Sequence, residues 1–146
     1  MCIRDRYWPT YFSALDTHLK PGGRVGLQSI TMPHDRMVAT RRSYTWIHKY
    51  VFPGGIIPSL RAITENLDRH STLSIVERRD LGPHYARTLQ LWRERFTAGW
   101  PGLEGSFDET FKRMWEFYLA YCEAGFRVGY LGVSQLGLAR HPFPPA

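Results

Sequence analysis

LKPGGRVGLQSI, residues Leu19 to Ile30, is the stretch on which the fold turns. Pro21-Gly22-Gly23 reads as a tight turn. Proline sets φ at the second position and glycine tolerates positive φ at the third. Upstream, Trp8, Tyr11, Phe12, Leu15 and Leu19 recur at i, i+3, i+4, i+7 and i+11. That spacing predicts a helix over 7–20 with one apolar stripe. Downstream, Val25 to Ile30 is short, mostly apolar and polar only near its end, which predicts an interior strand of a parallel sheet. Helix, turn and buried strand make half of an α/β unit.

Working outward, residues 36–50 predict a helix broken at Phe52-Pro53-Gly54-Gly55. A second helix starts after Ser59, an N-cap, and carries Leu60, Ile63 and Leu67 on one face. Leu73 to Arg79 predicts a strand whose polar second half reaches solvent or a site. Tyr85, Leu89, Trp92 and Phe96 stripe a further helix. Ser106 and Glu109 form a capping box for the next, which Gly125 should close as a left-handed C-cap. Its face carries Phe107, Phe111, Met114, Trp115, Tyr118, Leu119 and Cys122. Phe126 to Leu138 predicts a long strand or a hairpin. The first six residues follow no structural period and read as a non-native leader, and the proline-rich 141–146 as a disordered tail.

The 146 residues fit one domain. With 43% hydrophobic residues, among them 5 Trp, 8 Tyr and 8 Phe, the chain can bury enough surface to offset the entropy of ordering. Mean hydropathy is −0.35 and no apolar run nears the ~20 residues that span a bilayer. Cys2 and Cys122 make neither a CxxC site nor a disulfide scaffold, so a reducing cytoplasm is expected. The net charge of +6, spread without a basic tail, suits an anionic surface. Aromatics placed on buried stripes argue against a nucleic-acid stacking platform. Glycine-rich phosphate loops, HExxH and GxSxG are absent, and six scattered histidines lack metal spacing, so no metal is expected.

Four further phrases, HKYVFPGGIIPS (48–59), LGPHYARTLQLWRERF (81–96), FDETFKRMWEFYLAYCEAGFR (107–127) and VSQLGLAR (133–140), follow LKPGGRVGLQSI in order. Together they resemble the C-terminal half of the cyclopropane-fatty-acyl-phospholipid synthases and mycolic acid cyclopropane synthases. These are Rossmann-like class I methyltransferases dependent on S-adenosylmethionine. The resemblance covers about residues 7 to 140. It implies an α/β fold of three strands with a helical insertion, the last strand antiparallel between the other two. It also implies that this chain is a fragment, with the S-adenosylmethionine site in the absent N-terminal half and no activity alone.

The reaction implied is transfer of a methylene group to the cis double bond of a phospholipid acyl chain, with bound bicarbonate as base. It would run at the inner face of the membrane, on a cytoplasmic, peripheral enzyme. Such chemistry needs a dry slot, π faces for a cation and a base that is a poor nucleophile. Carried over by position, Tyr85, Gln28 and the main chain of Ile30 contact the bicarbonate. Gln28 stands where many members have histidine. Its amide can donate a hydrogen bond but cannot carry a positive charge. Phe52, Tyr118 and Cys122 match positions lining the acyl pocket.

Without the resemblance, Tyr118 and Cys122 are core residues at i, i+4, and Tyr85 is a core aromatic. Gln28 falls in a strand read as buried, where an amide needs partners. Two other readings stay open: a related small-amine N-methyltransferase, and a non-catalytic basic module that binds membrane or nucleic acid.

Overall fold

A computed structural model describes residues 7–140. The leader, Cys2 and the tail lie outside the described residues. The chain divides into two compact units, one comprising the chain up to Asp80 and from Val133, the other Leu81–Gly132.

In the first unit α1 (Trp8–His18) carries Pro9 in its first turn, where a missing N–H removes no helical bond. Gly22 takes φ +72 in the turn that follows, as the Pro-Gly-Gly reading requires. Then come β1 (Arg24–Thr31), α2 (His34–Thr40), α3 (Trp46–Tyr50), α4 (Leu60–His70), β2 (Leu73–Asp80) and, after the second unit, β3 (Gly132–Arg140). The sheet order is β1-β3-β2, so the last strand lies between the other two, and β3 runs antiparallel to β2. Phe12, Ile63, Leu67, Leu136 and Leu138 are buried at the centre of the core, joined by Trp8, Leu27, Met37 and Leu73.

β1 is not buried on both faces as expected. It alternates, with Leu27, Ser29 and Thr31 buried and Gly26, Gln28 and Ile30 exposed, and it is an edge strand of the described sheet. A run of apolar letters cannot tell one buried face from two, because the neighbours decide which face is covered. The helix expected over 36–50 is two short helices separated by a turn near Arg41-Arg42. Ser59 caps α4 as predicted, its hydroxyl accepting from the Ala62 N–H at 3.0 Å.

β2 skips one residue between Ile75 and Glu77 against β3, leaving Val76 in a bulge and half exposed. Gly137 faces Glu77 there, and a Cβ on Gly137 would lie 3.1 Å from the Glu77 Cβ. One carboxylate fastens three parts of this unit. Asp16 of α1 accepts from the Thr72 N–H at 2.6 Å, the Thr72 hydroxyl at 3.1 Å and the Arg140 Nε at 2.9 Å.

The second unit is a helical hairpin, α5 (Gly82–Gly99) and α6 (Glu109–Arg127), with a 3₁₀ turn at Trp100–Gly102 between them. The α5 stripe is not the one expected. Ala86 and Leu89 are buried, whereas Trp92 is 53% exposed. α6 is capped by Asp108 rather than Ser106, its carboxylate accepting from the Phe111 N–H at 2.7 Å. Its end also lies beyond the predicted one. Gly125 is inside the helix, and Gly129 takes the left-handed turn at φ +69. The Leu131 side chain packs where a Gly125 Cβ would stand, 3.1 Å away, which is why a glycine sits at 125. Phe126 and Arg127 therefore belong to α6, and the final strand begins only at Gly132.

No helix among the described residues is long and apolar enough to cross a membrane. Nor do they contain a His, Cys, Asp and Glu cluster able to hold a metal ion.

Candidate functional site

Residues of the first unit collect at the end of β1. Gln28 and Ile30, two apart, share the exposed face of the strand, while Ser29 between them turns inward and donates its hydroxyl to the Ile30 carbonyl at 2.9 Å. Gln28 is not the buried amide expected. It lies in the open, where its Oε1 accepts from the Nε2 of Gln135 on β3 at 2.9 Å. Ile30 is 38% exposed.

Phe52, 46% exposed, stands on the loop after α3. His48 shapes that loop. Its Nδ1 accepts from the Thr45 N–H at 3.1 Å, so the ring proton resides on Nε2, which donates to the Gly55 carbonyl at 2.8 Å. The imidazole thus ties the start of α3 to the glycine turn and frames the loop that carries Phe52.

In the second unit Tyr118, Cys122 and Phe126 succeed each other at four-residue steps along α6. Tyr85, on the first turns of α5, packs its ring on Phe126 at 5.5 Å. Tyr118 hydrogen-bonds the Cys122 thiol and packs its ring, tilted, on Trp115 at 5.1 Å. Burial pushes the Cys122 thiol up, and the Tyr118 hydroxyl only partly offsets this. A protonated, half-buried thiol suits a pocket wall and not a nucleophile. The aromatic row continues through Trp115, Phe111 and Phe107, whose rings follow at 5.9 and 4.5 Å.

Next to Cys122, Glu123 is buried and clamped by two guanidinium groups. Arg93 of α5 reaches it at 3.1 Å and Arg127 at 2.7 Å, and Arg127 also donates to Gln90. Burial raises the Glu123 carboxyl, but the hydrogen bonds and charges of Arg127 and Arg93 outweigh it and hold it below the usual range.

The fold thus brings together Gln28 with Ile30 in one unit, and Tyr85, Tyr118 and Cys122 with one aromatic row in the other. An open groove of about 840 Å³ between α5 and α6, lined by Arg93, Thr97, Arg113, Glu116 and Phe117, includes none of them. Sequence reading missed Gln135, His48, Glu123 and Phe126. Only the Glu123-Arg127 spacing of four carried a local signal.

Residues 2–136 match the family described as mycolic acid cyclopropane synthetase. The chain is 56% identical over 140 residues to the tuberculostearic acid methyltransferase UfaA1 of Mycobacterium tuberculosis, covering 95% of this chain and 33% of that protein. It is 34% identical over 138 residues to the cyclopropane-fatty-acyl-phospholipid synthase of Escherichia coli K12, covering 94% and 35%. It superposes with a TM-score of 0.80 and 26% identity on the mycolic acid cyclopropane synthase CmaA1 complexed with SAH and CTAB, covering 91% of this chain and 50% of that one. The chain spans about a third of the length of these curated relatives.

Proposed function

The chain belongs to the mycolic acid cyclopropane synthetase family of S-adenosylmethionine-dependent methyltransferases, and from that membership we propose that it supplies one wall of a lipid-modifying active site. The substrate is an acyl chain with a cis double bond, esterified in a membrane phospholipid. The match over residues 2–136 carries this reading. When bound, S-adenosylmethionine supplies the methyl group, and no described residue of this chain is assigned to hold it. Residues 1–146 by themselves transfer no methyl group. The whole protein works as a peripheral enzyme at the cytoplasmic face of the membrane.

Methyl addition to one alkene carbon leaves a cation on the other, and loss of a proton from the new methyl closes the ring. Tyr85, the Gln28 amide and the Ile30 main chain hold the bicarbonate that takes this proton. Tyr118, Cys122 and Phe52 wall the acyl chain, with the aromatic faces turned to the developing charge. The 56% identity to a protein named a tuberculostearic acid methyltransferase favours a second outcome, in which the cation gives its proton to the base without closing the ring and leaves a methylene- or methyl-bearing alkene.

The test uses the complete parent protein with labelled S-adenosylmethionine and monounsaturated phospholipid, free fatty acid or small amines. Label in the acyl chain is expected, and NMR of the product separates ring from branch. Tyr85→Phe should lower kcat by ~10²–10³-fold with little change in KM, because one donor to the transition state is lost. An unchanged kcat removes Tyr85 from the mechanism, and label found only in the amines overturns the lipid substrate.

A further inference from the structure

Residues 36–64 hold Arg36, Arg41, Arg42, Lys49 and Arg61 and not one aspartate or glutamate, in a chain with 13 acidic residues. Arg61 is taken up by Glu65 at 2.8 Å, and Asp35 reaches Arg36 only at 3.9 Å. Arg41, Arg42 and Lys49 are exposed, and so are apolar groups set among them. Val38 is 45%, Tyr44 76%, Tyr50 57% and Phe52 46% exposed. The patch occupies α2, α3 and their connections, and the His48 bonds to Thr45 and Gly55 give its second half a defined shape.

We propose that this patch docks the protein on an anionic phospholipid bilayer. The inference rests on the lipid reading above and assigns the contact to particular residues. A bilayer interface takes cations at the headgroups and amphipathic aromatics at their level, and the patch mixes both. Each tyrosine has one ring face engaged within the patch. The Tyr44 ring stacks on His48 at 6.1 Å, and the Lys49 Nζ lies 4.8 Å above the Tyr50 ring. At 76% and 57% exposure, Tyr44 and Tyr50 present apolar ring and polar edge together, the combination that sits at headgroup level.

The full chain is partitioned onto vesicles of phosphatidylcholine alone, or mixed equally with phosphatidylglycerol, at about 0.05 and about 0.5 M salt. Thermal unfolding followed by circular dichroism confirms that each variant folds. Binding should require phosphatidylglycerol and fall at high salt. Each cation near an anionic surface contributes about five-fold to partitioning. The triple change Arg41→Gln, Arg42→Gln and Lys49→Gln should therefore weaken binding by about 100-fold. Tyr44→Ser with Tyr50→Ser should weaken it further at high salt, where the apolar share persists.

The charge-matched control Lys20→Gln, Arg87→Gln and Arg95→Gln should change binding a few-fold at most. Equal losses in patch and control variants, or equal binding to neutral vesicles, overturn the proposal. So does a single-stranded oligonucleotide that displaces the vesicles and loses affinity through the same three substitutions, which would assign the patch to nucleic acid. Partitioning needs no turnover. A parent protein that binds vesicles yet leaves every acyl chain unmodified overturns the lipid chemistry, whereas active protein indifferent to the patch substitutions overturns the docking.

Discussion

Cys122 shows how a single side chain is assigned by its surroundings. From its spacing alone it was a core residue, by family position a pocket residue, and its half-buried thiol beside Tyr118 is consistent with either. What its environment opposes is nucleophilic chemistry, since burial favours the uncharged thiol. In a Cys2→Ser background, Cys122 should alkylate with iodoacetamide at pH 7.5 more slowly than the same chain in denaturant. Tyr118→Phe, which removes the hydrogen bond that lowers the thiol, should slow it further. Alkylation faster than in the denatured chain would show an activated thiolate and reverse the assignment.

The hairpin of α5 and α6 depends on an asymmetric ion cluster. Glu123 is the buried member, whereas the Arg93 and Arg127 side chains are 39% and 53% exposed. Removing the carboxylate releases two guanidinium groups to water. Removing both arginines strands a buried charge. Arg93→Ala with Arg127→Ala should therefore cost about 3 kcal/mol of stability, and Glu123→Leu clearly less, since an apolar side chain can fill the site. Urea unfolding midpoints of the two variants decide the order, and a larger loss for Glu123→Leu would mean that the carboxylate anchors more than the arginines. The caps tell a similar story at the ends of α6. Asp108 outcompetes Ser106 because the chain between them is still turning, the Ser106 and Phe107 N–H groups both bonding to the Leu103 carbonyl. Gly129, not Gly125, meets the need for positive φ.

Across the molecule, every described carboxylate with a displaced pKa is displaced downward: Asp16, Glu65, Asp80 and Glu123. Arg61 lowers exposed Glu65, and Arg78 with Ser134 lowers Asp80. For Asp16 burial pulls upward, but Thr72 and Arg140 prevail. A folded-state pKa below the unfolded one means that the unfolded chain binds protons first. Their contribution is thus fully present above the unfolded values of about 4 and is lost as pH falls through the folded ones. Stability should fall steeply below about pH 4. Asp16→Asn, which weakens a charge-assisted junction, should cost about 2 kcal/mol at pH 7. That deficit should shrink toward zero in acid, where the wild-type carboxyl is protonated too. Unfolding midpoints for both chains across pH 3–7 test this, and a deficit independent of pH would show that the loss is steric.

The order of the elements, the Pro-Gly-Gly turn, the Ser59 cap and the α/β class were all determined by the sequence. Each follows from interactions within a few residues or from a period of 3.6. The resemblance carried by five phrases also named a family that residues 2–136 match. Tertiary structure decided what depends on distant neighbours. It turned Gln28 of β1 outward and matched it with Gln135, 107 positions away. It left Trp92 in water and extended α6 to Arg127, because Leu131 returns onto Gly125. It also set Tyr85 against Phe126 and two arginines on Glu123. Burial and pairing are properties of a face and its cover, and a local pattern specifies the face without specifying what comes to lie on it.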